Sequence, residues 1–352
     1  MEEDIRIHSL SSSGFSQIIR KYRLFEHKKN LNEVFELCSS LFSKDKKDSI
    51  FSAAEKCAKK HREKGVRWIH YYSEEYPELL RFTDDPPPVL YCRGNIELLK
   101  KSITAAVGTR KPSPFAVSSC CKIAEYIGTQ SDACISSGLA EGIDRHIMNL
   151  SLEYNISVIG VMGTGFDKEY PSSNSDLYRK MKMSGNALIL TEIQWGENPG
   201  KWSFPKRNRI ISGISERVII IECPEKSGAV STAAHAAAQN RDLIVFDAPE
   251  LLNNAGGRKL ISEGAKKISP EDIGSGRVFH ISELYKLPKE RSSESLSRLA
   301  RLEFSGGVKD LGGGYFEITD TDEVFHKKTG HSRKMNLISE QQLRTSLAYI
   351  II

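Results

Sequence analysis

Residues 102–144 read SITAAVGTRKPSPFAVSSCCKIAEYIGTQSDACISSGLAEGID, and this stretch decides the fold. Ile103–Val107 is a continuous apolar run of strand length. Gly108-Thr109-Arg110 ends it, a helical stretch near 115–128 follows, and Ala133–Ser136 is apolar again before Ser137-Gly138. A strand covered on both faces reads as an unbroken apolar run, and a helix between two such strands makes them parallel. The pattern continues. Strands are predicted at Ser157–Met162, Ala187–Leu190, Val218–Ile221 and Leu243–Phe246, with helices near 142–153, 174–183, 206–214 and 229–239. Alternation of this kind gives an α/β fold, a doubly wound, Rossmann-like and mostly parallel sheet.

Outward from this core the character changes. Residues 1–65 are helical in pattern, with Ile18, Ile19, Tyr22 and Phe25, then Leu31, Val34, Phe35 and Leu37, at helical spacing. Lys44–Asp48 reads as a polar break, and a further helix runs from Ser49 to Lys64. Val66–Tyr72 and Val89–Cys92 read as strands, separated by Tyr76-Pro77 and Asp84–Pro88, whose prolines force extended backbone. Beyond the sheet, Leu296–Phe304 is an amphipathic helix, followed by a glycine-turned hairpin at 308–318. The expected organisation is a small helical, SAM-like domain at 1–65 and a Rossmann-like domain with its N-terminal extension at 66–270. A linker at 271–295, a winged-helix-like unit at 296–330 and a tail at 331–352 follow.

The net charge of +5 is too small to indicate nucleic acid by itself, so local clustering has to decide. Seven cysteines, with no CxxC pair, read as buried thiols in a reducing compartment and not as a disulfide frame or zinc site. The N-terminus, MEEDIRIHSL, is too polar for a signal peptide, and no apolar run approaches the roughly 20 residues that span a bilayer. The expected location is cytoplasmic, with no membrane partner.

In a doubly wound sheet the loops after the strands meet along one edge, where ligands bind. Here those loops are Gly108-Thr109-Arg110, Ser137-Gly138 through Asp144, Gly163-Thr164-Gly165, and Glu222 with Ser227-Gly228. Glycines allow close backbone approach, and helix N-termini favour anions. The second element of a site is KWSFPKRNRIISG (201–213), expected as a surface loop at 201–205 and a short helix at 206–214. Lys201, Lys206, Arg207 and Arg209 stand beside Trp202 and Phe204, a combination suited to phosphate and base. No GxGxxG follows the first strand. GxxxxGK[ST], GxSxG and a metal-spaced His/Cys cluster are also missing from the sequence, so nothing in it argues for bond-making chemistry. His146 and His235 read as ordinary helical histidines, and Asp144 and Glu222 as partners for nearby cations.

YPELL (76–80), DPPPVLYCRG (85–94), AVGTR (106–110), SSGLAEGID (136–144), GVMGTGFDKEYPSSNSDL (160–177), SFPKRNRIISGIS (203–215) and SGAVSTA (227–233) together resemble the DprA/Smf family, DNA-processing protein A. The resemblance implies a homodimer that binds single-stranded DNA without sequence preference. It implies loading of RecA onto strands otherwise covered by single-strand-binding protein, in natural transformation and recombination. No enzymatic activity, cofactor or metal is implied. Its DNA site would comprise Gly108, Thr109, Arg110, Ser137, Gly138, Lys201, Phe204, Lys206, Arg207, Asn208 and Arg209. The chain departs from the family pattern at Met148, Pro249-Glu250 and Arg258. The alternative is a nucleotide sensor or nucleotide-processing enzyme on a related scaffold. Against it, the stretch similar to the GGxGTxxE of cytokinin-activating phosphoribohydrolases reads GAVSTAAH (228–235), with His235 in place of the glutamate.

Overall fold

The computed structural model describes residues 2–200 and 202–273, and the backbone of three short strands at 278–280, 308–312 and 315–318. Helices α1 (Glu2–Leu10), α2 (Ser13–Lys21), α3 (Leu24–His27), α4 (Leu31–Ser40) and α5 (Lys44–Glu63) form the N-terminal module. Side chains cap α2 and α4: Ser12 accepts from the amide of Phe15 and Asn30 from that of Glu33. Leu10, Phe15, Ile19, Val34 and Cys38 are buried inside the module. The expected break at Lys44–Asp48 is instead the start of α5. Exposed lysines are good helix formers, and Asp45 in the first turn suits the positive end of the helix dipole.

The main domain runs β1 (Arg67–His70), α6 (Glu78–Arg81), β2 (Val89–Gly94), β3 (Ser102–Gly108), α7 (Pro114–Gly128), β4 (Ala133–Ser137), α8 (Ile143–Glu153), β5 (Ser157–Val161), α9 (Ser175–Met183), β6 (Ala187–Thr191), α10 (Ser203–Gly213), β7 (Arg217–Ile221), α11 (Gly228–Ala238), β8 (Asp242–Phe246), α12 (Ala255–Ser262) and β9 (Lys266–Ile268). Its nine-stranded sheet has the order β1-β2-β6-β5-β4-β3-β7-β8-β9. The run from β6 to β9 is parallel, while β2 joins β6, and β1 joins β2, antiparallel. All the strands read from the sequence are present, and the expected extension before the core supplies the antiparallel end of the same sheet.

Alternation along each strand divides the core. Ala106, Ile135, Val158, Ile189 and Ile219 share one face with Cys120, Ile123, Ile127, Ile147 and Leu177 from α7, α8 and α9. Ala105, Val107, Cys134, Ile159 and Ile220 share the other with Ile210, Ile211 and Ala233 from α10 and α11. Met148 is fully buried on the inner side of α8, which explains why an apolar residue serves there. From β3 the chain winds outward through β4, β5 and β6, then crosses back to place β7 on the other side of β3. The switch point is therefore the carboxyl edge between β3 and β7.

Further along, β10 (Val278–His280), β11 (Val308–Gly312) and β12 (Tyr315–Ile318) form a separate antiparallel sheet in the order β10-β12-β11. Here β10 falls within the stretch expected as a linker. The helix expected over Leu296–Phe304 and the tail at 331–352 lie outside the described residues. Among the described residues, no helix is long and apolar enough to cross a membrane. All seven cysteines are free and buried.

Candidate nucleic-acid interface

A crevice of about 580 Å³ opens at the switch point. The loop after β3, the start of α10, and the loop leading into α11 line it. Arg110, Lys111 and Lys226 are exposed on its rim, Phe204 and Pro205 form an apolar wall, and Ser227, Ser231 and Thr232 supply hydroxyls. This volume lies within the range of about 300–1,000 Å³ typical of ligand pockets. Cations predominate in the lining, where Asp144 is the acid.

The loop carrying Arg110 is fastened at both ends. Thr109 donates its amide to the carbonyl of Glu222 (3.0 Å), and its own carbonyl accepts from Ile143 N (3.1 Å). The buried Glu222 carboxylate accepts from Ser113 N (2.6 Å). Glu222 thus binds backbone and not a cation. Gly108 has no room for a side chain, because an added Cβ would run into the carbonyl of Ile221. Gly142, at the entry to α8, is more demanding. Its φ of 75° favours glycine, and an added Cβ would strike the Thr109 carbonyl and approach the Arg110 carbonyl carbon to 2.6 Å. Gly142→Ala is expected to cost on the order of 1–3 kcal/mol. It should also speed hydrogen exchange at the Arg110 and Lys111 amides, readable by denaturant unfolding and exchange mass spectrometry.

Helix α10 starts earlier than expected, at Ser203. Pro205 is tolerated in its first turn because the amide it lacks is one that no helical carbonyl would accept. This start sets the half-buried Phe204 over Gly163, where an added Cβ would lie 2.7 Å from the ring. The Tyr170 ring lies 5.1 Å from that of Phe204, tilted by 48°, and is 46% exposed. Tyr170 belongs to the quoted GVMGTGFDKEYPSSNSDL run, but sequence reading gave it no role. Its position beside a proline was the available signal.

The described cations of the basic stretch, Lys206, Arg207 and Arg209, are engaged within the protein. Arg207 is buried and donates to the carbonyls of Gly138 and Val161. Asp144 lies on the same side of Gly138 as Arg207 and accepts from Gly138 N (3.0 Å) and Ala140 N (3.4 Å). Burial pushes the Asp144 carboxyl up, while the Arg207 guanidinium and these amides pull it down. Burial also lowers the Arg207 pKa, against the attraction of Asp144. Arg209 is buried too, paired with Glu192 (2.6 Å) and Asp85 (3.1 Å). Lys206 shares Glu192 at 2.9 Å and stands 5.6 Å from the Trp202 ring centroid. Arg207 thus holds backbone and Arg209 two carboxylates inside the protein, and Arg207 also lines the crevice.

Ser137 and Gly138 are likewise engaged inside the protein. The Ser137 hydroxyl is fully buried and donates to the Ala106 carbonyl (2.7 Å), and both backbone groups of Gly138 are used internally. Asn208 is buried and reaches the Gly228 carbonyl at 3.4 Å, joining α10 to α11. Lys201 lies outside the described residues. His235 does not line the crevice. The structure brings Gly108, Thr109, Arg110, Phe204, Arg207 and Asn208 to the crevice and adds Lys111 and Lys226, with Tyr170 beside Phe204.

Comparison with known proteins agrees with this architecture. The family model of DNA recombination-mediator protein A matches residues 67–275. The chain is 38% identical over 216 residues to DNA processing protein DprA of Bacillus subtilis, covering 60% of this chain and 72% of that one. The X-ray structure of DNA processing protein A from Streptococcus pneumoniae superposes with a TM-score of 0.64 at 28% identity, over 78% of this chain and 96% of that one. The Helicobacter pylori protein, whose structure is described for its single-stranded DNA binding mode, gives a TM-score of 0.53 at 29% identity over 59% and 92%. A match across the whole sheet, joined to the shared glycine loops and α10 motif, places the chain in the DNA recombination-mediator protein A (DprA/Smf) family.

Proposed function

We propose that this protein binds single-stranded DNA at the switch-point crevice, without sequence preference, and acts as a recombination mediator. The observation that carries this reading is a cation-rimmed crevice with a half-buried aromatic wall, formed by Arg110, Lys111, Lys226 and Phe204. Phosphates follow the rim cations and a base stacks on Phe204, flanked by Tyr170. Every base has a π-face, so such a site holds a strand without reading it. Lys201 joins this reading through the family resemblance alone. No chemical step is assigned to the site.

Arg110→Ala is expected to weaken binding of an oligothymidylate and to flatten its log affinity against log salt by about 0.7 per lost phosphate contact. An unchanged slope, or tighter binding of a duplex than of a single strand, would overturn the reading. RecA loading and a homodimer complete the proposal. Catalytic amounts of the protein should shorten the lag of RecA filament growth on strands coated with single-strand-binding protein, and light scattering should give twice the chain mass. An unshortened lag would remove the loading role and leave DNA binding standing.

A further inference from the structure

The N-terminal module contains a cluster that the sequence does not announce. Cys57 and His61 occupy one face of α5, and His8 reaches them from α1. Both histidines are fully buried and the thiol nearly so. The candidate donor atoms all lie within 4.8 Å of one another. His8 Nε2 is 3.1 Å from His61 Nδ1, and Cys57 Sγ is 3.7 Å from the same nitrogen. A tetrahedral ion with bonds of about 2.0–2.1 Å to nitrogen and about 2.3 Å to sulfur has N···N edges of about 3.3 Å and N···S edges of about 3.6 Å. We infer that His8, Cys57 and His61 form a site for a divalent ion of the zinc class, with its fourth corner left to water.

One further feature suits a metal ligand. His8 Nδ1 lies 2.8 Å from the carbonyl of Asp4, so this nitrogen carries the proton and Nε2 keeps a lone pair facing the cluster. A histidine that ligates metal is usually oriented in this way, by a carbonyl accepting from its other nitrogen. Cys57 Sγ lies 3.7 Å from His61 Nδ1 and 4.0 Å from its Nε2, within reach of the ring. A slight turn of the His61 ring aims its lone pair between His8 and Cys57. Trp68 and Tyr91 wall the cluster with rings centred 4.8 Å from His8 and 4.4 Å from His61.

Mixed thiolate and imidazole donors in tetrahedral array select zinc over magnesium or calcium. Binding would displace the Cys57 proton to solvent and fasten the first helix of the chain to α5. None of the three residues lines the crevice, so this inference stands or falls independently of DNA binding.

The test uses the full chain, stripped with chelator under reducing conditions and titrated with Co²⁺ and then Zn²⁺. We expect a sulfur-to-cobalt charge-transfer band with tetrahedral d–d absorption, saturating near equimolar metal and abolished by Zn²⁺. Cys57→Ser should lose the charge-transfer band and weaken binding by at least about tenfold, while Cys38→Ser, at another buried thiol, keeps both. Absence of the band in the unmutated chain would overturn the site even if Cys57→Ser failed to fold. A band that persists in Cys57→Ser would place the metal elsewhere and overturn it equally.

Discussion

Arg207→Ala is expected to lower the free energy of unfolding by about 3 kcal/mol or more, each buried partner left unsatisfied costing about 1–3 kcal/mol. Three losses coincide. The carbonyls of Gly138 and Val161 lose their donor, and Asp144 keeps a buried carboxylate with the neighbouring cation gone. Urea unfolding measures the loss directly. Arg207→Met with Asp144→Asn should recover a substantial part, because the pair is then removed together. The experiment also separates two roles for an arginine in the DNA-processing motif. A loss of DNA binding with stability preserved would show that Arg207 serves the ligand, contrary to its burial. A large stability loss that Asp144→Asn relieves marks it as the tie between β5, the loop after β4 and α10.

Phe204→Ala should weaken single-strand binding by roughly 5- to 150-fold, the equivalent of about 1–3 kcal/mol for one stacked base. The ring is half-buried, so truncation also removes packing against Gly163 and Tyr170. Phe204→Leu controls for this by keeping apolar volume without a flat face, and it should bind nearly as weakly as the alanine variant. Fluorescence anisotropy with a labelled oligonucleotide at fixed salt gives both affinities. Alanine and leucine variants that bind within about twofold of the parent would exclude base stacking on this ring.

The parts of this protein that were readable in its sequence are those whose signal is local. The core strands are short, mainly apolar runs, and glycine or serine stands at or near the ends of β3, β4 and β5, so the sheet and its ligand edge followed together. What the sequence leaves out are partners that only distant residues supply. Lys206 and Arg209 read as cations suited to phosphate, and the sequence shows their charge but not its counter-charge. Glu192 precedes them by 14 and 17 residues and reaches them only because the fold brings the residue after β6 to the start of α10. Arg207 read as a phosphate ligand for the same reason: the carbonyls it serves lie 69 and 46 residues away. The start of α10 was placed too late because Pro205 looks like a boundary, although the first turn tolerates it. His8 and His61 are 53 residues apart, and only the packing of α1 on α5 brings them together.

The sheet's two ends bear on how copies of this chain can meet. An open edge strand offers unpaired amides and carbonyls to any neighbouring strand, and long flat edges invite fibrous self-association. Here β1 has only four residues and β9 only three, and β9 presents Lys266 and Lys267 to solvent. Two such ends brought side by side would set lysine against lysine over too short a ladder to offset the repulsion. Among the described residues, neither end of the sheet therefore offers a long flat ladder on which copies of the chain could stack into a fibre.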